Sequence, residues 1–163
     1  MQQAKDSFYM ALRERLAAAD PERTVVVDGA SRPAIVVEEN EASAMNLEDA
    51  FRLTWGRCVR VGGGSELMKI DCTVKYVTRG VDDTSGDRGR VLGKMDGQLS
   101  TIAQPPRAIK MDYTTIPATN TGTMIFWTDL EFAEPKNEAG RIEREAKTTV
   151  YFFASASTQE AKG

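Results

Sequence analysis

Phe8, Leu12 and Leu16 recur every four residues near the start of the chain. Ala11, Ala18 and Ala19 lie beside them, and Lys5, Arg13 and Glu14 fall elsewhere on the wheel, which predicts an amphipathic helix over residues 5–19. Asp20-Pro21 stops it, because proline disfavours helical geometry in the residue before it and has no N–H to give the preceding turn. A short β-branched run, Thr24–Val27, precedes the turn signal Asp28-Gly29. A second apolar run over residues 34–37 ends in the acidic stretch Glu38, Glu39 and Glu41. Residues 38–49 are polar and read as a surface connection, with one helical turn expected over residues 47–50.

The clearest pattern follows. Phe51, Leu53, Trp55, Val59 and Val61 alternate with Arg52, Thr54, Gly56, Cys58 and Arg60, and only Arg57 breaks the period. After Gly62-Gly63-Gly64-Ser65 the alternation resumes with Met68, Ile70, Cys72, Val74 and Tyr76. Glycine reaches the positive φ angles that tight turns require, so the two runs predict a long antiparallel hairpin. Such a hairpin does not stand alone in water, and its apolar face needs a cover.

That cover is a second helix, expected over residues 87–103, with Val91, Leu92, Met95, Leu99 and Ile102 on one stripe. Asp87 or Ser85 is placed to cap it, and Pro105-Pro106 ends it. Gly89, Gly93 and Gly97 form a ridge that a close neighbour would fit. Strand patterns follow over residues 108–114, 123–133 and 146–154, separated by loops at 116–122 and 134–145, the second charged and long enough to project. The chain therefore reads as a single α+β domain, residues 1–163: a mainly antiparallel twisted sheet with a long central hairpin and two helices packed on one face.

Composition narrows the partners. There are 21 basic and 24 acidic residues, a net charge of −3, so the basic surface that phosphate backbones demand is missing and nucleic acid is not the expected primary partner. Residues 1–19 carry charges throughout, which argues against a signal peptide or membrane span and for synthesis in a cytoplasm. Cys58 and Cys72 lack a CxxC spacing and read as reduced, structural thiols.

Candidate chemistry is sparse. The sequence contains no histidine, and no serine sits in a G-x-S-x-G elbow. Asp82, Asp83 and Asp87 lack the ordered alternation and terminal glutamate of an EF-hand. The Gly62-Gly63-Gly64-Ser65 string has no Lys-Ser/Thr ending and joins strand to strand, so it reads as a turn and not as a phosphate cradle. The charges between Gly89, Gly93 and Gly97 exclude a membrane helix. An enzyme would require Asp71, Asp112 and Glu131 to meet in space. No catalytic, cofactor or metal residue is assigned.

The later strands are apolar on both faces. Met124, Phe126, Leu130 and Phe132 share one face, with Ile125 and Trp127 opposite; Val150 and Phe152 face away from Tyr151 and Phe153. Two helices cover one sheet face but not two, which points to self-association. Ile125, Trp127, Tyr151 and Phe153 are the expected packing residues between subunits, as an oligomer interface, or between secondary elements. The charged loops, represented by Arg79, Asp82, Asp83, Lys136 and Arg141, are the expected contacts for other partners.

The order of elements is a helix, a short hairpin ending in Arg32-Pro33-Ala34-Ile35-Val36-Val37, a long strand pair, a helix and two or three terminal strands. It resembles the tail terminator and tail-completion proteins of long-tailed phages across most of the chain. The chain departs from their smaller members by extra length around residues 38–64 and 134–145. The resemblance implies a homo-oligomeric ring, commonly a hexamer, that caps the tail tube, joins it to neck proteins and resides in the virion tail. Binding and steric termination would be its mechanism, without catalysis, cofactor or membrane. Another neck, connector or baseplate component is the alternative within that class. From a different class, a small-ligand-binding α+β domain would line a pocket with Trp55, Met68, Tyr76 and Met95.

Overall fold

The computed structural model describes residues 1–41, 47–81 and 86–154. Helix α1 (Gln2–Ala19) is followed by strands β1 (Thr24–Val27), β2 (Ala30–Pro33) and β3 (Ile35–Val37) and a 3-10 turn at Glu38–Asn40. Then come β4 (Phe51–Arg60), β5 (Leu67–Thr78), α2 (Arg88–Ile102), β6 (Arg107–Asp112), β7 (Thr119–Trp127), β8 (Glu131–Phe132), β9 (Lys136–Glu138) and β10 (Arg141–Phe153). The fold is α+β.

β1 and β2 form a separate two-stranded ribbon turned by Asp28 and Gly29, both at positive φ. The main sheet runs β3-β4-β5-β10-β7-β6, with β8 and β9 also pairing to β10. β3 joins β4 in parallel; the other pairings are antiparallel. The chain's last strand is therefore inserted between β5 and β7. Where Arg57 interrupts the alternation, the β4–β5 register shifts between Trp55 and Cys58, so the break in pattern is a bulge. Gly62 and Gly64 at the turn have positive φ.

The core unites the stripes of both helices with inward positions of the sheet. Phe8, Leu12 and Leu16 of α1 and Leu92, Met95, Leu99 and Ile102 of α2 bury against Phe51, Leu53, Ile70, Cys72, Val74, Tyr76, Ile125, Trp127, Val150 and Phe152. The Phe8 ring stands edge-on to Trp127 at 5.0 Å and to Trp55 at 5.5 Å. Polar side chains finish the elements. Ser7 Oγ accepts the Met111 N–H at 2.8 Å, so α1 blunts the exposed edge of β6. The Arg15 guanidinium donates to the carbonyls of Ile102, Pro105 and Arg107, satisfying the end of α2 and the double-proline turn.

Several expectations change. Residues 123–133 are not one strand: pairing stops at Trp127 and resumes at Glu131, and Leu130 turns in to pack against the core. Residues 134–145 do not form a projecting loop, because β9 folds back on β10 through Ala139 and Gly140, both at positive φ. No helical turn forms over residues 47–50. Asp87 holds the N-cap position without capping; its carboxylate accepts the Val81 N–H at 3.1 Å instead. A Cβ on Gly89, Gly93 or Gly97 would meet nothing within 4 Å, so that ridge does not pack on the sheet of its own chain.

Candidate functional site

The ladders of β6, β7 and β10 determine which apolar groups reach the surface. Val150 pairs with Trp127 and Phe152 with Ile125, all four buried; Tyr151 pairs with Phe126 on the outward side. Ile109 lies opposite Met124 on that same side. The Phe126 and Tyr151 rings stack 5.5 Å apart and within 6° of parallel. Ile109, Met124, Phe126 and Phe153 are all exposed, and with Tyr151 they form one apolar patch outside the core.

This separates the four residues expected at an oligomer interface. Tyr151 and Phe153 lie on the outward face. Ile125 and Trp127 do not: their relative exposures are 0% and 5%, and they pack between α1, α2 and the sheet. The correction has a simple cause. Side chains of paired residues share a face, so the buried Val150 and Phe152 carry Trp127 and Ile125 inward with them. The residues available to a partner are Phe126, Met124 and Ile109; the alternation over residues 123–127 already places the first two opposite Ile125 and Trp127, and the pairing with Met124 brings Ile109 to the same side.

The charged residues expected to touch partners converge in part. Arg79 Nε lies 2.7 Å from Glu48 Oε1, and Arg141 lies 4.0 Å from the same oxygen. Arg141 and Lys136 line a cleft of about 130 Å³ with Arg52, Lys75, Glu138 and Glu143. Within it Lys136 faces Glu143 and Arg141 faces Glu138 across the β9–β10 ladder, and Arg52 and Lys75 give the lining more cations than carboxylates. Asp82 and Asp83 lie outside the described residues, as does Ser85.

The three carboxylates that an enzyme would need do not all meet. Asp71 and Glu131 line one open groove of about 390 Å³ with Thr73, Thr128, Lys147 and Thr149. Both are exposed; Asp71 accepts the Thr149 hydroxyl at 3.0 Å, and Glu131 sits opposite Lys147 in the ladder. Asp112 is elsewhere, at the β6–β7 turn, where the Thr114 hydroxyl and N–H hold its carboxyl below the usual range. Among the described residues no group of three acidic or cysteine side chains is arranged to hold a metal ion.

Tyr76 and Met95 are buried in the core, with Trp55 and Met68 packed against it, so these four fill space between elements. The Tyr76 hydroxyl donates to Asp96 Oδ1, and Arg144 approaches the same carboxylate at 3.0 Å, tying α2 to β5 and β10. Burial, reinforced by the bond to Asp96, pushes the Tyr76 phenol well above its ordinary range. Burial alone does the same to the Cys72 thiol, which is free, as is Cys58. Such a thiol is protonated and inert.

Neither a family model nor a curated protein matches this chain.

Proposed function

We propose that this chain is a structural virion assembly protein, a tail terminator whose copies form a ring on the end of a phage tail tube and present the surface that joins tail to head. The observation that carries the proposal is the apolar patch of Ile109, Met124, Phe126, Tyr151 and Phe153, which no described element of the chain covers. Clustered aromatic and aliphatic side chains on one sheet face fit a protein surface better than a small molecule or a reaction. The resemblance in element order supplies the particular role.

In this reading the β4–β5 hairpin and the two helices on its inner face are scaffold. The outward face and the charged corner of Arg79, Lys136 and Arg141 meet neighbouring subunits, the tail tube and neck proteins. Function is binding and steric termination, carried out in the virion tail after synthesis in the host cytoplasm.

Negative-stain microscopy of the purified protein, alone and mixed with tail tubes, tests this. Rings with a central hole of tube width, seated on tube ends, are expected. Rings that bind only the portal side would assign the chain to another neck component. Monomers at every concentration would reject the ring.

A further inference from the structure

The turn between β6 and β7 carries a side chain with no cover at all: Ile116 is 100% exposed. The turn around it is tied to itself. The Asp112 carboxylate accepts the Thr114 N–H at 2.9 Å and its hydroxyl at 2.5 Å. Thr115 Oγ1 lies 3.1 Å from the Asp112 carbonyl, 3.0 Å from the Pro117 carbonyl and 3.2 Å from the Thr119 hydroxyl. The polar groups of the turn are thus used internally, and one apolar group is presented outward on a frame already ordered, which lowers the entropy lost on docking.

The apolar patch on the outward face is the complement. Ile109, Met124, Phe126 and Phe153 are each 40–49% exposed. Side chains of roughly 200 Å² apiece then offer about 350 Å² of surface, within the ~300–600 Å² of the largest apolar patch on a monomer, which is often functional. That is about half of the ~800 Å² each partner buries in a standard interface, leaving the rest to the turn and the strand rims. A copy cannot cover its own patch this way. Arg107 on β6 pairs with Phe126, five residues before Asp112, and at about 3.3 Å per residue the turn stands roughly 15 Å or more from the aromatic pair.

We propose that Ile116 of one copy docks on the Phe126–Tyr151 patch of the next. Turn and patch are different surfaces, so the contact is heterologous: each copy gives one and receives one, an arrangement that yields a ring when the rotation between copies closes and an open filament when it does not. The proposal rests on the ring reading above and names its subunit contact.

The test is disulfide trapping of Ile116→Cys/Phe126→Cys in a Cys58→Ser background, Cys72 being buried. Oxidation is expected to give a ladder of linked species up to the closed ring, while either single variant stays unlinked. Linked dimers from the Phe126→Cys single variant would mean patch-on-patch pairing and overturn the proposal. Ile116→Asp supplies a second measure: it is expected to abolish rings with circular dichroism and Tm unchanged. Rings that persist in Ile116→Asp sink this contact alone, whereas absence of rings in the unmodified protein sinks the ring reading as well.

Discussion

The indole N–H of Trp127 donates to the carbonyl of Ala103 at 2.9 Å, joining the end of β7 to the end of α2. The same ring packs edge-on against Phe8 and lies 5.4 Å beneath the Arg15 guanidinium, which caps the same end of α2. One side chain therefore holds three elements together.

Trp127→Ala is accordingly expected to lower unfolding free energy by about 3–5 kcal/mol, combining lost apolar contact, a cavity and an orphaned carbonyl. Trp127→Phe should cost less, roughly 1–2 kcal/mol, because most of the packing survives and the hydrogen bond does not. Urea titration of both variants measures the difference. A Trp127→Ala protein as stable as the parent would place this residue outside the core.

Alkaline pH is expected to weaken the fold. The Tyr76 and Cys72 pKa values are raised in the folded state, so above the ordinary ranges of phenol and thiol the unfolded chain releases protons that the folded chain keeps. Their stabilising contribution is intact at neutral pH and declines as pH climbs from about 9 upward. Unfolding free energy measured between pH 7 and 11 should fall over that window. Tyr76→Phe should start from a less stable protein, since Asp96 loses a donor, but show a shallower decline. An unchanged slope in that variant would remove Tyr76 as a cause.

Gly80 sits where the chain leaves β5, at φ +83°, and a Cβ there would come within 2.2 Å of Asp87 Oδ1 and 3.1 Å of the Arg88 nitrogen. The Asp87 carboxylate would have to abandon the Val81 N–H that it holds. Gly80→Ala is expected to destabilise by about 1–3 kcal/mol, above the ~1 kcal/mol of a conformational penalty alone. Gly62→Ala is the control, with a similar φ but nothing within 4 Å of its Cβ, and should cost the smaller amount. Equal effects in thermal melts would argue against the clash.

Much of the fold is local and therefore legible in the order of residues. The stripes Phe8-Leu12-Leu16 and Leu92-Met95-Leu99-Ile102 are helical faces because 3.6-residue periodicity leaves them no other common side. The alternation flanking Gly62–Gly64 is likewise a strand pattern, and its one irregularity at Arg57 marks the bulge. The β9–β10 turn was hidden for a chemical reason. Ala139-Gly140 lacks the Asn-Gly or Asp-Gly signature of such turns, and β9 is wholly polar, so neither turn chemistry nor hydrophobic period announces it.

For the outward patch, the sequence by itself determined that residues 124–127 and 150–153 carry large apolar groups on both sides of their strands. It did not determine which side is covered. That choice belongs to the tertiary structure, because β10 inserts between β5 and β7 and its register aligns Trp127 with Val150 and Phe126 with Tyr151. Pairing fixes parity, and the helices bury only one parity. Alternation within a strand is a local property; the side that faces the helices depends on contacts more than twenty residues apart, which no single segment encodes.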